Sequence, residues 1–229
     1  MTQSTLFSGL ALDAFVPPLA PLVLLLFLGA GFVIFCCAIG AAIAGAARRT
    51  RLARFLAAGA LMAGVAYGVV LLGASLLSRE RTLAAGEKKY FCEMDCHLAY
   101  SVDSVSGGGG SVSVAIRTWF DPSTIAPFRG DGPLYPNPRT VFLVDDTGLR
   151  FPPATAIAPL ERPLRPGESY VSTVAFTVPP GSGTGPLRLY VGDAPGLENL
   201  IVNHENSPFH ARTYFALPAL RASADGRRF

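Results

Sequence analysis

VPPLAPLVLLLFLGAGFVIFCCAIGAAIAGAA, from Val16 to Ala47, and FLAAGALMAGVAYGVVLLGASLLS, from Phe55 to Ser78, are two apolar runs with no internal acidic, basic or histidine side chain. They are joined by Arg48-Arg49-Thr50-Arg51-Leu52-Ala53-Arg54. Crossing roughly 30 Å of hydrocarbon takes about 20 helical residues at 1.5 Å each, and both runs exceed that length. The pattern predicts a membrane hairpin: spans at 16–47 and 55–78, a basic loop at 48–54, and a short segment 1–15 before the first span. A cleaved signal sequence fits the first run poorly, since such sequences have a basic start and an apolar stretch of about 7–15 residues.

Orientation follows from the cations. No Lys or Arg precedes Arg48, whereas the connection holds Arg48, Arg49, Arg51 and Arg54, which places it in the cytoplasm by the positive-inside rule and both termini outside. Arg79, Arg81, Lys88 and Lys89 vote against this, with Glu80 and Glu87 among them. The Ala-, Gly-, Pro- and Arg-rich composition and the lack of an Asn-x-Ser/Thr acceptor point to a bacterial inner membrane and a periplasmic head. Half the residues are apolar and 15% are charged, as expected when a quarter of the chain lies in lipid. The net charge of +3 arises largely from the inter-span arginines and from Arg221, Arg227 and Arg228. No basic stripe interleaved with aromatics is present, which argues against nucleic acid as a partner.

The head, 83–217, is long enough for one domain with its own core and is followed by a tail, 218–229. It reads as β throughout. Short runs rich in Val, Tyr, Phe and Thr occur at 97–105, 111–120, 140–144, 170–178, 187–191, 200–203 and 212–217, and Val112, Val114 and Ile116 alternate with Ser111, Ser113 and Ala115. Turn signals separate them, including Asp145-Asp146-Thr147-Gly148 and Arg165-Pro166-Gly167. About seven strands at this spacing predict a β-sandwich of immunoglobulin-like type, giving a fold class of membrane α-helical hairpin plus all-β domain. The stretch 121–139 carries five prolines and cannot pair as an internal strand. It is either a wrap over the sandwich edge or a partner-contact loop presenting Pro122, Pro127, Phe128, Arg129 and Tyr135.

The series Val141-Phe142-Leu143-Val144-Asp145-Asp146-Thr147-Gly148, Leu164-Arg165-Pro166-Gly167-Glu168-Ser169 and Val174-Ala175-Phe176-Thr177-Val178-Pro179 resembles a group of bacterial extracytoplasmic immunoglobulin-like domains. That resemblance implies a fold and no particular activity.

Chemistry concentrates in two windows. The first is Lys89-Tyr90-Phe91-Cys92-Glu93-Met94-Asp95-Cys96-His97 and the second runs from Asn203 to His210. Together they hold all three histidines and the two cysteines outside the spans. If the first strand starts at His97 and pairs in parallel with the last, starting after His210, both windows share one rim. Cys92, Met94, Cys96, His97, His204 and His210 would then form a soft-ligand set suited to copper before zinc. The competing reading is a Cys92–Cys96 disulfide, ordinary in an oxidising compartment. A CxxxCH sequence is one residue too long for covalent haem attachment, and a dithiol redox site normally uses CxxC.

The layout, a hairpin with both ends outside followed by a β domain with CxxxC and histidines, is similar to subunit II of haem-copper oxidases. That resemblance implies a dinuclear copper centre bridged by Cys92 and Cys96, with His97, His204, His210 and Met94 competing for the terminal positions. The motif order differs: here CxxxC precedes the whole sandwich, and no HxxM follows Cys96.

No GxSxG, phosphate loop or spaced carboxylate pair is present, so no enzyme activity and no small-molecule substrate are expected. The expected function is a membrane-anchored accessory or interaction subunit of a respiratory or photosynthetic electron-transfer complex, in contact with lipid and other membrane subunits. A copper-binding electron-transfer or copper-delivery protein is the alternative. Cys36 and Cys37 are expected to pack as small apolar residues. Gly59, Gly64, Gly68, Ala41, Ala42 and Ala46 are expected at close helix contacts. Trp119 is expected in the core or as a loop anchor, and Asp145 and Asp146 as turn formers.

Overall fold

The computed structural model describes residues 20–91, 97–108, 110–124, 130–154, 158–179 and 185–218. The chain divides into two units: 1–79 together with 195–211, and 80–194 together with 212–229.

In the first unit, helices α1 (Ala20–Ala46) and α2 (Thr50–Leu77) are both long and apolar enough to cross a membrane. The connection is shorter than the expected 48–54. Helix α1 stops because Arg48 takes a left-handed backbone, φ 56°. The Arg48 amide then bonds the Gly45 carbonyl and the Arg49 amide the Ala44 carbonyl, the paired bonds of a Schellman stop. Arg51, Leu52 and Ala53 are good helix formers, so α2 restarts at Thr50 and its first turn carries Arg51 and Arg54.

Small residues set the seam between the helices. A Cβ on Gly40 would lie 3.0 Å from Leu56, and one on Gly59 or Gly64 would lie 3.9 Å from Cys37 or Ile34. Ala44 is buried there, and Phe27 packs on Tyr67 with ring centroids 6.4 Å apart. Gly68 has open space at its Cβ position, and Ala42 and Ala46 are exposed; these three expected contacts are replaced by Gly40 and Ala44. Cys37 faces the seam, while Cys36 is exposed.

Among the described residues, the second unit contains nine strands in two sheets. One sheet has the order β1-β9-β8-β5-β6, from strands β1 (Arg81–Leu83), β5 (Arg139–Val144), β6 (Arg150–Phe151), β8 (Arg188–Asp193) and β9 (Thr213–Ala216). The other has the order β2-β3-β4-β7, from β2 (Lys89–Phe91), β3 (Leu98–Gly108), β4 (Ser111–Phe120) and β7 (Ser169–Thr177). One hydrophobic core draws on every strand, with Phe91, Tyr100, Ile116, Leu143, Phe176, Leu189 and Phe215 among its most buried members. On β4 the expected alternation holds: Val112, Val114 and Ile116 are buried and Ser111 is exposed.

Three strands absent from the sequence reading, β1, β2 and β6, are two or three residues long, too short for a period-2 signal. The expected strand at 200–203 is instead the end of a 3₁₀ turn, Leu197–Leu200, followed by further turns. The parallel first–last pair exists, but it joins β1 to β9, with Arg81 opposite Thr213. The strand after His97 is β3, in the other sheet, because β1 already occupies the edge beside β9. Asp145 forms the expected turn, accepting from the Thr147 amide and hydroxyl and the Leu149 amide. These bonds, that of the Thr147 hydroxyl foremost, hold its carboxyl below the usual range. Trp119 is half-buried on the face of β4 turned from the core, with the Lys88 ammonium 3.3 Å from its ring centroid.

Candidate functional site

The first chemical window is the connection between β2 and β3, whose ends Phe91 and Leu98 are register partners. Cys92, Met94 and Cys96 lie outside the described residues. His97 is fully buried, stacked on Phe120 at 5.5 Å, with Nδ1 2.8 Å from the Thr124 hydroxyl. Its carbonyl accepts the Asp121 amide at 2.7 Å. Asp121 organises the same corner, accepting from the Tyr90 hydroxyl at 2.7 Å and from the Ser123 amide and hydroxyl at 2.9 and 2.6 Å. Burial pushes the Asp121 carboxyl up, but the bonds from Ser123 and Tyr90 and the charge of Lys88 outweigh it and leave it lowered. Burial, the Asp121 bond and the Asp121 charge raise the Tyr90 hydroxyl to about 12.

The sequence places Lys89 at the start of this window but does not foretell its burial together with Arg139. Lys89 and Arg139 are both buried in the β unit. The Lys89 ammonium donates to the Val191 carbonyl at 2.7 Å and to the Thr213 carbonyl at 3.2 Å, and lies 4.8 Å from the Tyr190 ring centroid. Arg139 pairs with Asp193, donates Nε to the Tyr100 hydroxyl at 3.1 Å, and stacks over Phe91 at 4.4 Å. Buried cations persist where they are paired and bonded, and aromatic faces supply part of that compensation here. Nothing local marks Lys89 or Arg139 in the sequence; register pairing of Arg139 with Asp193 across β5 and β8 creates the site.

The second window belongs to the helix unit. His204 is buried and its Nδ1 accepts the Asn206 amide at 3.1 Å. His210 has Nδ1 2.6 Å from the Ala211 carbonyl and Nε2 3.2 Å from the Asn203 side-chain oxygen. Among the described residues, no three His, Cys, Asp or Glu side chains come together as a metal-binding group.

In the loop 121–138, Pro127, Phe128 and Arg129 lie outside the described residues. Pro122 opens a 3₁₀ turn, Pro122–Thr124, and is exposed, as is Tyr135. Leu134 is half-buried against the core and exchanges both backbone bonds with Leu164, at 2.8 and 3.1 Å. This bridge fixes Leu134 to Leu164 within the β unit.

The chain is thus a two-helix apolar hairpin followed by a two-sheet β region. Comparison with protein-family models, with curated proteins and with solved structures finds no match for it.

Proposed function

We propose that this chain is a membrane-anchored, extracytoplasmic accessory subunit of a larger membrane complex, in the first place an electron-transfer complex. The observation that carries the reading is the distribution of apolar surface on the helix pair. The seam uses small residues, while Phe32, Phe35, Ile43, Phe55, Leu61, Met62 and Val69 remain exposed. That surface needs lipid or the helices of neighbouring subunits, because in water a contiguous patch of this extent would drive association. The arginines at the turn of the hairpin support a cytoplasmic connection and a periplasmic β unit.

Strand connectivity supports the immunoglobulin-like reading. β4 pairs with β7 in one sheet, and β5 pairs with β6 and β8 in the other. β8 pairs with β9, and β9 runs parallel to β1, the pattern of B–E, C–C′, C–F, F–G and A′–G neighbours. β2 is an addition at the edge, and it carries the cysteine motif into its connection with β3.

The test is extraction in mild detergent and native electrophoresis with a haem or redox-activity stain. Co-migration with a respiratory or photosynthetic complex, lost when the hairpin is replaced by an unrelated two-span anchor, is expected. Migration only at the size of the free chain overturns the reading.

For the cysteine motif we favour a Cys92–Cys96 staple over copper, because such a pair is ordinary in an oxidising compartment and needs no further ligand. Copper delivery or electron transfer through Cys92, Met94, Cys96, His97, His204 and His210 is the second reading, supported by ligand softness alone. Metal content and free-thiol count on protein purified without chelator or reductant separate them. Stoichiometric copper, lost in both Cys96→Ser and His210→Ala, would establish the second reading.

A further inference from the structure

Residues 195–211 lie far from the spans in sequence yet pack with them, and the bonds show at what level. The Tyr67 hydroxyl donates to the Leu200 carbonyl, and the Ala211 amide donates to the Ser78 hydroxyl at 2.7 Å. Ser78 caps α2, whereas Tyr67 lies ten residues before its last residue, Leu77. At 1.5 Å per residue that is about 15 Å along the helix axis. Over this stretch α2 has no charged side chain, and Val69, Leu76 and Leu77 are exposed. Leu200 therefore sits beside a part of the helix whose outward surface itself calls for lipid.

The composition of the segment is inverted relative to a loop in water. Asn203, His204, Glu205 and Ser207 are buried and Glu198, Asn199 and Asn206 half-buried, while Leu197, Leu200 and Phe209 are exposed, Phe209 at 78%. Phe209 holds this position with a left-handed backbone, φ 64°, which a bulky residue rarely adopts.

Backbone polar groups that approach lipid must find their partners within the protein. Here the amides of Asn199, Ile201, His204, Ser207 and His210 each bond a carbonyl three residues back, at 2.8–3.3 Å. The Ser207 hydroxyl adds a bond to the Ile201 carbonyl at 2.6 Å.

We infer that 195–211 is a lipid-seated wedge. It enters the leaflet at the end of the hairpin away from Arg48 and Arg49, with Leu197, Leu200 and Phe209 against acyl chains. This rests on the reading of the hairpin as a membrane span, and the experiment separates the two. Full-length protein with Trp119→Phe, which leaves no tryptophan, is reconstituted into phosphatidylcholine–phosphatidylglycerol vesicles with or without acyl-brominated phosphatidylcholine. Leu76→Trp, Leu197→Trp and Phe209→Trp are introduced singly.

The expected result is bromine quenching in Leu76→Trp, and quenching of at least half that extent in Leu197→Trp or Phe209→Trp. Quenching in Leu76→Trp with none in either loop variant overturns the wedge and leaves the span standing, whether water or another protein covers the loop. No quenching in any variant overturns the span and the wedge together.

Discussion

Two long connections flank the β5–β8 strand pair, 121–138 before β5 and 194–212 after β8, and their described residues are held by different partners. The first stays with the β unit: Asp121 is gripped by Tyr90 and Ser123, and Leu134 bridges to Leu164. The second departs after the Ala194 amide bonds the Pro138 carbonyl, and its residues 195–211 are held by Tyr67 and Ser78 of α2. Both are rich in turn formers, and the second also carries the strand-like run 200–203. What separates them is the partner that their backbone bonds, the β unit for one and a long apolar helix for the other.

The sharpest way to break the comparison is at the common root of the two loops. Arg139, fully buried, holds Asp193 where the first connection ends and the second begins. Arg139→Leu should destabilise the β unit by about 3 kcal/mol or more, since it strands a largely buried carboxylate. The check is a denaturant titration of the full chain followed by Trp119 fluorescence; a loss below about 1 kcal/mol would mean that Asp193 finds other compensation.

Leu134→Ala should cost about 1–2 kcal/mol in the same titration, less than a fully buried leucine because Leu134 is only half-buried. Tyr67→Phe should act on the other loop alone. Losing one hydrogen bond is worth about 1 kcal/mol, so amide exchange should quicken around residues 199–204 while the β-unit midpoint stays fixed. A shift in that midpoint would contradict the division into units.

The smallest effect is one of pH. Asp121 is lowered in the folded state, so its contribution is present above the unfolded value of about 4 and is lost as pH falls through the folded value. Tyr90 is raised to about 12, so its contribution is present below about 10 and is lost as pH rises through about 12. Asp121→Asn should flatten the acid limb of stability against pH, and Tyr90→Phe the alkaline limb. Unchanged limbs would show that the corner opens without consequence for folding.

The sequence by itself determined the two helices and the strands with strong alternation, β4 above all, because apolar runs and period-2 patterns are local signals. Turn chemistry at Asp145 was equally local. Tertiary structure alone decided the rest. It set which sheet each strand joined, moved the parallel edge from His97 to Arg81, and kept His97 and His210 in separate units. Lys89 and Arg139 are cations in a core, a placement that no single-residue preference predicts and that only paired carbonyls, Asp193 and aromatic faces make tolerable. Residues 200–203 carry β-branched and apolar side chains that mimic a strand, yet their partner is Tyr67, more than a hundred residues earlier. Such a choice depends on contacts distant in the chain, and a local pattern contains no record of them.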